Sequence, residues 1–300
     1  MIPHPELLVL ASETILSSYP ILIKSVPTNL WTQIVSRMGV YALASFLVLL
    51  GQPKQLASVS TTYMGGAGLL NLLHVATSYK AFSELPAGNA MAIFYAYPIW
   101  NIIGAWFLLG EKIPMESLPW IGLAVAGMLC IAQPDAGTLL DTKNPVALLC
   151  AVLSGVTESC IYFFFKIFGI QEGTFKSMFE LYGGSFMWII MALITKNLRP
   201  HDNEFLKEHN LEVPNLDLSW KVWAPMLLFN GLVGFGGYAM RFSAIPLVST
   251  LIFSVLSFTG IVSAYIFGYL FQGEKPSYLA MLGSIFIIVA SGVLLSKDKK

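Results

Sequence analysis

The sequence predicts an all-α, polytopic integral membrane protein of about ten transmembrane helices, arranged as two inverted five-helix repeats. Three observations support this fold class. Apolar residue types make up 56% of the chain and charged types only 11%, less than half of the roughly one quarter that a water-soluble surface needs. Apolar runs long enough to cross a bilayer recur along the whole chain. Finally, the two halves of the chain carry similar motifs in the same order.

The composition also narrows the classes of partner. The formal net charge is +0 and the pI is about 6.9, which argues against nucleic acid or another polyanion. Cys130, Cys150 and Cys160 lie in apolar stretches without a CxxC spacing, so we expect neither a metal site nor a disulfide framework. No cofactor is predicted. The expected partners are the lipid bilayer and a small-molecule substrate. The sequence does not indicate how many copies of the chain assemble.

A spanning helix needs about 20 mostly apolar residues, because the hydrocarbon core is about 30 Å thick. Proline- and glycine-containing turns separate the candidate segments, and none shows the strict alternation of a barrel strand. The predicted spans are 6–24, 30–50, 62–82, 87–109, 117–134, 145–169, 174–195, 220–243, 247–271 and 277–296. The connection at 196–219 is long and rich in mixed charges, which predicts a solvated loop.

The two halves, residues 1–142 and 143–300, resemble each other. The segment 108–112 ends in Gly110-Glu111-Lys112 and 270–275 ends in Gly273-Glu274-Lys275, each followed by another apolar span. Upstream, 79–86 resembles 240–246. Two halves of five spans must insert with opposite orientations, and inverted repeats are typical of alternating-access transporters. We interpret the Gly-Glu-Lys exits themselves as helix ends rather than as functional sites.

Residues 79–112 combine a Pro86-Ala87 turn, Tyr97-Pro98 in mid-span and the Gly-Glu-Lys exit. In these features the chain resembles the EamA-like branch of the drug/metabolite transporter superfamily. The resemblance implies ten helices in a 5+5 inverted repeat, both termini in the cytoplasm and a central cavity. The lysine-rich C-terminal tail agrees with that orientation. We expect a plasma or inner membrane location, with an organellar membrane as the alternative.

Two carboxylates lie deep in predicted spans. Glu13 is about 10 Å along the first span and Glu158 is near the middle of the sixth. A charge at such depth is costly, so these groups are expected to face a cavity or a partner. Glu13 is therefore a candidate proton-coupling site that exchanges a proton as access alternates. The alternative is a carboxylate neutralised by a fixed partner such as Lys24 or Arg37.

Polar side chains at helical spacing predict a lined cavity. Asn71 and His74 share one face of the third span, and Tyr97 and Asn101 share one face of the fourth. Tyr162 lies one turn beyond Glu158. Each could instead be a packing group, and His74 could be a proton relay. For Arg37 we favour a salt bridge or an interfacial position over contact with an anionic substrate, and Arg241 and Lys80 are expected near helix ends at the interface.

These features predict a secondary active transporter of a small polar or amphipathic metabolite, such as an amino acid or a drug-like molecule, and not an enzyme. A nucleotide-sugar or sugar-phosphate antiporter is the alternative, disfavoured because few cations converge. An alternative from another class is a membrane receptor or scaffold that transports nothing. An intramembrane enzyme would need a nucleophile or metal constellation that the spans do not offer.

Overall fold

We describe a computed structural model of the chain, which defines residues 4–19, 26–85, 90, 93–133, 145–198, 214–273, 275 and 277–298. Across these residues the regular structure is helical. Seven helices in the described part of the chain are long and apolar enough to cross a membrane, and a shorter apolar helix covers Tyr97–Leu109. The predicted all-α, multi-pass membrane fold is confirmed.

The first half contains six helices in the described ranges. They are α1 (Pro5–Leu16), α2 (Leu30–Leu50), the short α3 (Pro53–Ala57), α4 (Thr61–Glu84), α5 (Tyr97–Leu109) and α6 (Leu118–Ala132), the last preceded by a 3₁₀ turn at Met115–Ser117. The side chains of Asn29 and Ser60 cap α2 and α4 by accepting backbone N–H bonds from the first turn. Of the longer helices, α4 falls outside the seven apolar spans because its sequence is more polar.

The second half follows the predicted spans with two differences. Its elements are α7 (Pro145–Glu172), α8 (Thr174–Leu198), α9 (Trp220–Leu228), a π-helix (Phe229–Gly234), α10 (Phe235–Ala244), a 3₁₀ turn (Ile245–Leu247), α11 (Thr250–Ser257), α12 (Thr259–Gln272) and α13 (Tyr278–Asp298). The eighth span thus contains a π-helical turn. The ninth span, predicted as one helix, is interrupted for one residue at Phe258, whose backbone stays in the right-handed helical region. The predicted loop at 196–219 begins later than expected, because α8 continues to Leu198, and residues 199–213 lie outside the described part.

Glycines set the closest helix contacts. Gly68 of α4 lies against Gly184 of α8 so tightly that a Cβ at either position would overlap backbone atoms of the opposite helix. Gly127 of α6 meets Gly283 of α13 in the same way. Small residues allow such approach in membranes, where packing rather than the hydrophobic effect holds helices together. Helix α4 consequently lies between α7 and α8, with its polar residues inside the bundle.

The two Gly-Glu-Lys exits share one backbone conformation. Gly110 and Gly273 both adopt the left-handed region, with φ of 66° and 70°. Each amide reaches back to a carbonyl of its own helix, that of Ala105 or of Gly268. A break precedes both helices, since the chain turns at 95–96 before α5 and at Phe258 before α12. These are the correspondences expected of the predicted repeat, whose division at residue 142 stays a prediction.

Candidate functional site

A chain of four charged or titratable side chains crosses the interior of the bundle. Arg241 of α10 lies between two carboxylates, with its Nη2 2.5 Å from Oε1 of Glu158 on α7 and its Nε 3.6 Å from Oε1 of Glu13 on α1. On its other side Glu158 places Oε2 3.2 Å from Nε2 of His74 on α4. All four residues are at least nine-tenths buried. We refer to Glu13, Arg241, Glu158 and His74 as the charged network.

Aromatic and small residues shape the space around the charged network. The Arg241 guanidinium lies over the rings of Tyr97, at 5.4 Å, and Phe253, at 5.6 Å. Ser257, at the end of α11, has its hydroxyl oxygen 3.3 Å from Glu13 Oε1 and 2.9 Å from the Phe253 carbonyl oxygen, so its single proton can go to either acceptor. Gly260 leaves room for the Tyr95 hydroxyl and the Glu13 carboxylate, because a Cβ there would lie 2.9 Å from the former and 3.0 Å from Glu13 Oε2. The break between α11 and α12 therefore lies directly beside Glu13.

The far end of the charged network is anchored by α7. His74 Nδ1 lies 3.1 Å from the Ser154 carbonyl oxygen and 3.2 Å from the Thr157 hydroxyl. A bond to that carbonyl requires the proton on Nδ1, which leaves Nε2 free to accept from, or share a proton with, Glu158. His74 is thus linked to the network rather than packed alone.

Arg37 occupies a separate aromatic site. Its guanidinium lies 4.8 Å from the ring centroid of Tyr19, 5.5 Å from Tyr41 and 5.0 Å from Tyr238, and its Nη2 donates to the Tyr238 hydroxyl over 2.7 Å. The residue is only 6% exposed. Among the described residues no carboxylate lies within ion-pair distance of it. In the described structure Arg37 is thus enclosed by aromatic rings and forms no ion pair, while its depth in the membrane stays a prediction.

The remaining candidates fall into two groups. Asn71 joins helices, since its amide donates to Ser185 Oγ at 2.8 Å and to Met38 Sδ at 3.2 Å. Tyr162 donates to Thr250 Oγ1 over 2.9 Å, and its ring packs on that of Phe253. Asn101 is fully buried, and neither of its amide atoms has a hydrogen-bond partner in the described structure. The Tyr97 hydroxyl is also without a partner of standard geometry there.

The first Gly-Glu-Lys exit does more than end a helix. Glu111 accepts bonds from the Thr250 amide at 3.2 Å and the Thr250 hydroxyl at 3.0 Å, so it caps α11 of the other half. Lys166 lies 4.0 Å from the same carboxylate and donates to the Val248 carbonyl. The interpretation of this exit as a helix end alone was incomplete; Glu274 of the second exit lies outside the described residues.

Arg241 is the functional candidate that the sequence analysis misplaced. It was expected at the interface because, like Lys80, it lies near the end of a predicted helix. In the folded chain it is 5% exposed and bridges both buried carboxylates. The signal that could have found it is charge balance, since two deep carboxylates require a cation. Of the partners suggested for Glu13, Arg37 lies in its own site and Lys24 lies outside the described residues.

Comparison with known proteins also indicates a membrane transporter. Residues 5–133 match the EamA-like transporter family. The resemblance seen in the sequence is confirmed. A pseudopaline exporter, CntI, of Pseudomonas aeruginosa is 26% identical over 234 residues, which cover 78% of this chain and 74% of the exporter. An uncharacterised transporter of Synechocystis is 26% identical over 127 residues, 42% of this chain and 36% of that protein.

The fold is shared with a solved structure. A crystal structure aligns with 99% of this chain and 99% of its own, with a TM-score of 0.72 at 14% identity, which shows the fold alone. Together with the apolar helices, these similarities identify a multi-pass membrane transporter. The EamA-like region holds Glu13 and His74, and the charged network joins them to Glu158 and Arg241 beyond it.

Proposed function

We propose that the protein is a secondary active transporter that exports a small polar or amphipathic metabolite by alternating access, with the charged network as its binding and proton-coupling site. The observation that carries this proposal is the buried line from Glu13 through Arg241 and Glu158 to His74. A static scaffold has no need for so much buried charge, because each ion removed from water costs several kcal/mol. Membrane proteins keep such groups where ions or solutes pass.

The charge balance of the network suggests how coupling works. With the Nδ1 proton of His74 on the Ser154 carbonyl, its Nε2 and Glu158 Oε2 form a hydrogen bond across 3.2 Å only when a further proton lies between them. Without that proton, two carboxylates face one guanidinium, which leaves one negative charge in excess. A proton on either carboxyl group, or an ammonium group of a substrate, removes that excess. If the two compete for the same site, binding of one releases the other, and export of the metabolite becomes coupled to proton entry.

The predicted inverted repeats supply the movement. The network takes residues from α1 and α4 in the first half and from α7 and α10 in the second, so it lies where the halves meet. The breaks before α5 and α12 provide points at which each half can bend beside the site. Rocking of the halves would then expose the network to one side of the membrane and then to the other.

Export as the direction, and a metabolite rather than an ion as the cargo, are suggested by the pseudopaline exporter of Pseudomonas aeruginosa. Polyphosphate-containing substrates are disfavoured because such groups need several converging cations. Here Arg241 is already balanced by two carboxylates, which leaves Arg37 as the buried arginine without a carboxylate partner in the described structure.

The test is flux in proteoliposomes. A panel of labelled amino acids, amines, nucleotide sugars and sugar phosphates is measured with and without a pH gradient. We expect counterflow of an amino-acid-like or amine-bearing solute, accelerated by the gradient. In the Glu13→Gln variant this acceleration should disappear while the protein remains folded. Glu6→Gln, on the same helix and partly exposed, is the matched control and should behave as wild type.

Three results would contradict the proposal. Full gradient-driven flux in Glu13→Gln would exclude this carboxylate as the coupling group. Counterflow confined to nucleotide sugars or sugar phosphates would favour the antiporter alternative. No flux of any solute, with the folded state verified, would favour a receptor or scaffold.

A further inference from the structure

The aromatic site around Arg37 has the properties of an anion-binding site. Arg37 is a permanently charged residue in the interior of a membrane bundle, and its described neighbours are neutral tyrosines. Tyrosine rings attract a cation and contribute roughly 2 kcal/mol or more when it is desolvated, but they do not cancel its charge. The charged network contrasts with it, because there the arginine has two carboxylate partners.

The hydrogen bonds of Arg37 are also incomplete. A guanidinium has five N–H donors in a planar fork. In the described structure Nη2 donates to the Tyr238 hydroxyl, Tyr79 is a second hydrogen-bonding neighbour, and Nε is buried without a partner. A buried donor that lacks a partner is costly, and a carboxylate could accept two parallel bonds from such a fork.

Neighbouring elements hold this site in shape. Tyr19 and Tyr41 share a short hydroxyl–hydroxyl contact, and Tyr19 donates to Asn230 Oδ1 over 2.9 Å. Asn230 belongs to the π-helix, and its amide donates to Ser36 Oγ over 3.2 Å. Gly234 ends the same π-helix, where a Cβ would overlap both tyrosine hydroxyls. Single π-helical turns are frequent at functional sites, and this one brings Asn230 and Gly234 to the tyrosines.

The site also lies close to the charged network along the chain. Tyr238, which accepts the Arg37 bond, and Arg241 are three residues apart on α10, so they occupy successive turns of one helix, about 5 Å apart along its axis. A solute of metabolite size bound at the charged network could therefore extend one of its groups to Arg37.

We infer that Arg37 and its tyrosines, Tyr19, Tyr41 and Tyr238, form a carboxylate-binding subsite that recognises the acidic group of an amphoteric substrate. The substrate's amino group would then bind at Glu13 and Glu158. The substrate assignment rests on the proposed function, whereas the existence of the anion site does not. The ligand class is a small molecule that carries both a carboxylate and an amine.

Binding of acetate by the purified full-length protein tests the anion site. Sodium acetate replaces sodium chloride at constant ionic strength, acetamide serves as the uncharged match, and the melting temperature is recorded. We expect a saturable rise of about 2–5 °C with acetate at some tenfold its dissociation constant and none with acetamide. The rise should vanish in Arg37→Gln. It should persist in the control Lys80→Gln, because Lys80 is a cation at the partly exposed end of α4.

Should Arg37→Gln not fold, Arg37→Lys provides the second test. It keeps the charge but loses the planar fork, so acetate should bind at least about tenfold more weakly. No saturable rise in the wild type, an equal rise in Arg37→Gln, or unchanged affinity in Arg37→Lys would each overturn the anion site.

The substrate assignment has a separate readout. For a carboxylate-bearing solute that the flux panel identifies, Arg37→Gln should raise KM at least about tenfold, with no change in KM for the corresponding amide. An equal effect on both would overturn the assignment. If acetate binding depends on Arg37 but no solute is transported, the proposed function fails and the anion site stands. If a solute is transported but acetate binding does not depend on Arg37, the anion site fails and the proposed function stands.

Discussion

Replacement of Arg241 by glutamine should destabilise the protein more than the loss of any exposed ion pair. The substitution removes the cation from between Glu13 and Glu158 and leaves two buried carboxylates on either side of a neutral amide. At separations of 2.5 Å and 3.6 Å, each attraction amounts to roughly 4–7 kcal/mol at an effective dielectric constant near 20. The free-energy cost of removing the arginine from water offsets part of this attraction.

The net loss in the free energy of unfolding should therefore be about 3–5 kcal/mol, the range for removing one partner from a buried ion pair. Protonation of one of the two carboxyl groups in the variant would remove the repulsion between them and keep the loss from exceeding this range. The double variant Arg241→Gln/Glu158→Gln removes the uncompensated charge on α7 as well. It should recover at least about 1 kcal/mol relative to Arg241→Gln, because residues in one network are strongly coupled.

The assay is reversible unfolding in mixed micelles followed by the fluorescence of the chain's 7 tryptophans. Lys80→Gln is the matched control. Lys80 pairs with Glu84 on the same helix and its side chain is 37% exposed, so its removal should cost less than about 1 kcal/mol. The reasoning is refuted if Arg241→Gln unfolds within about 0.5 kcal/mol of that control, or if the double variant is less stable than the single one.

Two glycine substitutions probe the packing around the site. Gly260→Ala should reduce transport severalfold while lowering stability by no more than about 1 kcal/mol, because its Cβ would lie 2.9 Å from the Tyr95 hydroxyl and 3.0 Å from Glu13 Oε2 and would displace side-chain ends rather than backbone. Flux together with the melting temperature tests this, and an equal loss of flux in Gly236→Ala, where a Cβ meets nothing within 4 Å, would contradict it. Gly68→Ala should cost about 3 kcal/mol or more, since its Cβ overlaps the backbone of α8, whereas Gly65→Ala, in open space, should not destabilise. Unfolding measurements decide this, and similar stabilities for the two variants would show that α4 and α8 can separate without cost.

Most helix boundaries could be predicted because the bilayer imposes length and apolarity, and because proline and glycine mark the ends. The predicted span 30–50 coincides with α2, and the predicted 174–195 differs from α8 by only three residues at one end. The break at Phe258 could not be predicted, since hydropathy is continuous through it. Hydroxyl groups of Ser257 and Thr259 bond carbonyls of the preceding turn and help to satisfy the interrupted backbone.

The site, too, could be predicted from the sequence only in part. Glu13 and Glu158 were identified because a carboxylate in an apolar span is conspicuous in one dimension. Arg241 was not, because its depth depends on how α10 packs against α1 and α7, which the sequence does not show. The tyrosines around Arg37 were missed because aromatic residues are common in membrane spans, and only the fold brings three of them onto one cation.

The polarity of α4 has a consequence for how the protein is made. As it leaves the ribosome, α4 carries Asn71 and His74, whose partners Ser185, Ser154 and Glu158 have not yet been synthesised. A segment of this composition enters the bilayer poorly on its own, and its amide and imidazole would remain unsatisfied in lipid. The first five spans, expressed alone, should therefore be retained by quality control and degraded, and co-expression of the second half as a separate polypeptide should rescue them.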